Sequence, residues 1–151
     1  MEEAVITENL ELKLNESSKG FLAEIAKWAH FLSIMGYIGI GFIVIVAIFA
    51  GSIFATIGAM TPGMGNLGSS LGIILTVVYL LIGLLYFFPV YYLNKFASNA
   101  KIALRENDTE TLSTSLEYLK SHYKFIGIMM VTVMCLYGLI IVFAIIGALI
   151  R

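Results

Sequence analysis

Few residues in this 151-residue chain could do chemistry, and their spacing scatters them. His30 and His122 are its two histidines. Brought together they would offer imidazole nitrogens to a metal, but two ligands without a thiolate or carboxylate beside them make a weak site. Cys135 is the lone cysteine, so no internal disulfide is possible. It lies in an apolar run and reads as a small apolar residue of a helix. Ser69 and Ser70 carry hydroxyls, yet the topology derived below puts both histidines at the other side of the membrane, leaving no nucleophile–base pair. The stretch Gly63-Met64-Gly65-Asn66-Leu67-Gly68 has the glycines of a phosphate loop without the Lys-Ser/Thr that must follow, and reads as a turn. No catalytic residue, cofactor or metal is called for, and an enzyme is not expected.

The elements that hold these residues explain the scarcity. Between Lys27 and Lys95 there is no Lys, Arg, Asp or Glu, and a second charge-free run covers Phe125 to Ile150. Soluble surfaces need charge, whereas a charge at a bilayer centre costs roughly 2.5–3.5 kcal/mol on insertion scales. The chain is 60% apolar and 13% charged, which points to one integral membrane domain with no room for a separate soluble one. Its net charge of -1 excludes nucleic acid as an expected partner. The start, Met1-Glu2-Glu3, is acidic where a secretory signal needs basic residues.

A crossing helix takes about 20 apolar residues. Residues 31–60, 71–93 and 125–150 each meet that length, predicting three transmembrane helices. Thr61-Pro62-Gly63 stops the first, and Thr61 to Ser70 reads as a tight turn. Pro89 is expected to kink the second. Lys95, Lys101, Arg105, Lys120 and Lys124 lie between the second and third spans, and Lys13, Lys19 and Lys27 precede the first. The positive-inside rule therefore places the N-terminus in the cytoplasm and the C-terminus outside. Trp28, Tyr91, Tyr92 and Tyr123 would anchor the chain at the cytoplasmic interface, beside Tyr86, Phe87, Phe88 and Phe125.

Outside the spans, residues 1–19 read as a flexible acidic arm. Leu10, Leu12 and Leu14 alternate within it at the period of a strand that could add to a partner's sheet. Ser17 or Ser18 would cap a helix over residues 20–30, with Phe21, Leu22, Ile25 and Trp28 on one face. The favoured reading is an interfacial helix lying on the membrane; a helix running straight into the first span fits the same residues. In residues 94–124, Leu93, Phe96, Ala97, Ala100 and Leu104 mark one helical face, and Leu112, Leu116, Leu119 and Tyr123 mark another. Asp108 or Thr109 would cap the second helix. The expected result is a cytoplasmic antiparallel helical hairpin that extends the second and third spans, each helix packed on the other. The fold class is thus an all-α membrane protein, with residues 20–151 as one membrane domain.

One pattern bears on assembly. Ala47, Gly51, Ala55 and Ala59 recur at i+4 on the first span, Gly68 and Gly72 on the second, and Ala144 and Ala148 on the third. Small residues in rows let helix backbones approach closely in lipid, where packing drives association. They form the candidate helix-packing interface, either within one chain or toward a partner.

The stretch Tyr91-Tyr92-Leu93-Asn94-Lys95-Phe96-Ala97, with Asp108, Leu112 and Leu119-Lys120-Ser121-His122-Tyr123-Lys124-Phe125-Ile126-Gly127, follows an apolar hairpin. It resembles a family of short bacterial (Bacteroidetes-type) multi-span membrane proteins of unknown function, over about Phe21 to the C-terminus. The resemblance implies a bacterial inner-membrane location and offers no catalytic residues. The function expected is a non-enzymatic scaffold or accessory subunit of an inner-membrane complex. Its partners would be the lipid bilayer and other membrane subunits, or the chain itself as a homo-oligomer. The alternative is an oligomeric pore or carrier for neutral or apolar solutes, lined by Thr56, Thr61, Asn66, Ser69, Ser70, Thr76 and Thr132.

Overall fold

Three α-helices account for nearly all of the computed structural model, which describes residues 15–61, 63 and 65–149. They are α1 (Glu16–Met60), α2 (Gly65–Glu106) and α3 (Thr109–Leu149). Each is long and apolar enough to cross a membrane. At about 1.5 Å per residue each runs over 60 Å, twice a hydrocarbon core of about 30 Å. The charge-free parts, residues 28–60, 65–94 and 125–149, run about 50, 45 and 38 Å at the same rise, each more than enough for that core. The expectations for Leu10, Leu12 and Leu14 lie outside the described residues.

The helix ends follow local chemistry. Asn15 is the N-cap of α1, its side-chain oxygen accepting from the Ser18 amide at 2.8 Å. The cap is therefore earlier than Ser17 or Ser18, and residues 16–19 belong to a helix rather than to a flexible arm. No separate interfacial helix exists at 20–30: those residues are the first turns of α1, continuous to Met60. No breaker stands between Gly20 and Phe31, so the helix simply continues. The turn after α1 is also shorter than expected. Gly63 takes φ +87°, a left-handed conformation that suits glycine, and helix resumes at Gly65, well before Ser70.

The α2–α3 junction takes only Asn107 and Asp108. Asn107 has φ 52°, and the Asp108 amide reaches back to the Ala103 carbonyl at 3.0 Å, closing α2 with a Schellman-type stop. Asp108 then caps α3: its carboxylate accepts from the Glu110 amide at 2.9 Å and from the Thr111 hydroxyl at 2.5 Å. The Lys19 ammonium reaches the Asn107 side chain at 3.3 Å, tying the start of α1 to this turn.

Helix α2 is the centre of the fold. It runs antiparallel to α1 along its whole length and antiparallel to α3 beside its charged end. Helices α1 and α3 make no close backbone approach.

Candidate functional site

The buried positions of α1 are Ala26, Ala29, Ser33, Ala47, Gly51 and Gly58, a row at helical spacing made only of small residues. They face α2 in a continuous seam. A Cβ added to Gly51 would stand 3.1 Å from the Gly72 carbonyl oxygen. One added to Gly72 would stand 2.6 Å from the Gly51 carbonyl oxygen and 3.2 Å from the Ala55 nitrogen. The Thr76 hydroxyl is shared between the Gly72 carbonyl of its own helix at 2.9 Å and the Ala47 carbonyl across the seam at 3.2 Å. Further along, a Cβ on Gly36 would meet Val90 Cγ2 at 2.7 Å. Small residues permit this approach, and hydrogen bonding across it is favourable where water is absent.

The small-residue row is therefore brought together only in part. Ala47, Gly51, Gly68 and Gly72 are buried in the seam and Ala55 half-buried at its edge. Ala59 is exposed, and Gly58 takes the facing position instead. Ala144 and Ala148 on α3 are exposed. Strict i+4 counting drifts off one face of a 3.6-residue helix, so it selected Ala59 where alternating steps of three and four select Gly58.

Beyond the charge-free spans, the three helices converge on Phe96. It is fully buried with Ala26, Ala29, Ala97 and Ala100, and Leu22, Leu93, Tyr118 and Leu119 pack against this cluster. The expected hairpin packing of α3 on α2 thus includes α1 as well. The α3 face also differs from the expected stripe. Ser115 is fully buried and Tyr118, Leu119 and His122 are half-buried, while Leu116 and Tyr123 are exposed. Ser115 satisfies itself by donating to the Leu112 carbonyl at 2.7 Å.

The two histidines have separate surroundings. His122 Nδ1–H donates to the Pro89 carbonyl at 2.7 Å, whereas His30 faces a groove between α1 and α2. Helix α2 continues through Pro89, which is buried at this contact. Among the aromatic anchors, Trp28 and Tyr123 line opposite sides of an apolar groove of about 420 Å³ floored by Ala29 and Phe96. Tyr91 stacks near Phe87 and carries the Lys95 ammonium 5.8 Å from its ring centre; Tyr92 is half-buried beside it. Among the pore-lining candidates, the hydroxyls of Thr56 and Thr132 bond carbonyls of their own helices.

Helix α3 parts from the others above Phe125, which still packs on Phe88 with ring centres 6.0 Å apart. From Met130 to Leu149 every residue is exposed. Gly138 and Gly147 have nothing within 4 Å of where a Cβ would stand. Ala144, Gly147 and Ala148 share an exposed face, with no described residue packed opposite it.

Residues 64–146, more than half of the chain, match DUF5362, a family of unknown function. The chain belongs to this family. The DUF5362 region starts at the turn before α2, not near Phe21 as expected, and ends in the last turns of α3. The shared unit is thus the α2–α3 pair with its Asn107-Asp108 junction. No curated protein and no solved structure matches the chain.

Proposed function

We propose that this protein is a non-enzymatic integral subunit of a bacterial inner-membrane complex, docked on another membrane protein through α3. It sits with its N-terminus and the α2–α3 junction in the cytoplasm and its C-terminus outside. The observation that supports this reading is the contrast between the two small-residue faces. Those of α1 and α2 close on each other, while the α3 face bearing Ala144, Gly147 and Ala148 is exposed, with no described residue opposite it. In lipid, leucine-like surfaces gain nothing by leaving the acyl chains, so close packing at small residues is the usual basis for helix association. The α2–α3 unit is also the part that matches the family.

The test is a photo-crosslinking residue at Ala144 or Ala148 in the full chain, in its own membranes. The expected product joins α3 to a different membrane protein. A product joining two copies of this chain would favour the homo-oligomeric pore, and solute flux from liposomes would then be measured. Crosslinks to lipid alone would overturn the docking role of α3.

A further inference from the structure

A second groove lies between α1 and α2, on the opposite side from the one lined by Trp28 and Tyr123. Its volume is about 720 Å³, within the usual range of small-molecule sites. Lys27 and His30 enter it from α1, and Ser98, Lys101 and Arg105 from α2. Among the described residues no carboxylate lines it. Glu24 belongs to the apolar groove, and Glu106 sits outside, holding one Arg105 nitrogen at 2.7 Å. The floor is made of Ala26 and Ala97, both buried, which keep the trough open beneath the long basic side chains.

Three geometric facts concentrate the charge. Lys27 and His30 are three residues apart, and Lys101 and Arg105 four apart, so each pair shares a face of its helix. Side chains of a helix lean toward its N-terminus. On antiparallel helices the two pairs therefore lean toward each other: Lys101 and Arg105 toward the membrane spans, Lys27 and His30 away from them. The groove also begins where the charge-free run between Lys27 and Lys95 ends, since it occupies residues 23–30 of α1 and 97–105 of α2. It is about 10 Å tall at 1.5 Å per residue. The headgroup layer extends roughly 5–7 Å past each hydrocarbon boundary, so it reaches into the lower half.

We propose that this groove binds the phosphate headgroup of an anionic phospholipid. Arg105 presents a planar fork of donors that suits phosphate, Lys27 and Lys101 supply point charge, and the Ser98 hydroxyl adds a neutral donor. The acyl chains would run down the adjoining apolar faces of α1 and α2. Basic pockets between membrane helices at this depth recognise such headgroups by the same chemistry.

The test is native mass spectrometry of the full chain in mixed micelles with equimolar phosphatidylglycerol and phosphatidylcholine. The wild type should retain phosphatidylglycerol preferentially. Each basic residue near an anionic lipid surface contributes roughly fivefold, so the variant Lys27→Gln/Lys101→Gln/Arg105→Gln should lose the preference by about tenfold or more. The variant Lys95→Gln/Lys120→Gln/Lys124→Gln removes the same charge away from the groove and should lose far less of it. Circular dichroism establishes that both variants keep wild-type helix content. Equal retention of the two lipids by the wild type, or equal losses in the two variants, would overturn the proposal. So would displacement of phosphatidylglycerol by millimolar inorganic phosphate, which would mark a site for free anions.

Discussion

Gly58 and Gly68 meet backbone to backbone: a Cβ on Gly58 would lie 2.2 Å from the Gly68 Cα, and one on Gly68 would lie 2.1 Å from the Gly58 Cα. Neither neighbour is a flexible side chain that can swing aside. Gly58→Ala or Gly68→Ala must therefore push α1 and α2 apart near their turn, at a cost of about 1–3 kcal/mol for overpacking. Gly39→Ala is the matched comparison, because nothing lies within 4 Å of its Cβ position. Thermal unfolding in detergent should show a clear loss for the first two variants and none for the third.

Phe96 joins all three helices in one cluster. Phe96→Ala leaves a void among alanines too short to fill it, so the expected loss is about 3–5 kcal/mol. Chemical unfolding of the full chain followed by circular dichroism measures it. Phe42→Ala, at an exposed position within the charge-free part of α1, should cost far less.

The His122–Pro89 bond links α3 to the middle of α2. His122→Ala removes it, at a net cost of about 1 kcal/mol. The effect should be local to the α2–α3 contact. Hydrogen exchange should speed up in residues 109–125, while the α1–α2 seam around Ala47 and Thr76 keeps its protection.

The Asp108 cap sets an acid sensitivity. The Thr111 hydroxyl first, and then the Glu110 amide, hold the Asp108 carboxyl below its ordinary value against a small opposing effect of desolvation. A carboxyl whose folded pKa is depressed stabilises the fold fully above its unfolded pKa of about 3.9 and loses that contribution as pH falls through the folded value. Stability should therefore drop below about pH 4. Thr111→Val, which removes the largest cause, should flatten that part of the pH profile. An unchanged profile would show that the cap does not contribute.

Much of this architecture was legible in the residue order, because its causes are local. Charge-free runs locate the three apolar stretches. A cap at Asp108 or Thr109 was legible, since a short polar side chain between two periodic segments can accept from the next turn's amides, and the structure chose Asp108. The face bearing Phe96, Ala97 and Ala100 was legible because it lies outside the spans, where polar and apolar residues separate by exposure to water.

Within the spans that contrast is lost, and only the tertiary structure decided the rest. An apolar side chain is as well solvated by lipid as by protein, so periodicity carries no record of which face meets a neighbour. Gly58 rather than Ala59 is in the seam because helix register and crossing place it opposite Gly68. Ser115 and His122 rather than Leu116 and Tyr123 face α2 because the short Asn107-Asp108 junction sets the rotation of α3. The groove of Lys27, His30, Lys101 and Arg105 exists only because two antiparallel helices bring together residues some seventy positions apart. Single-helix patterns determine what each helix is; the neighbour's geometry determines what each face does.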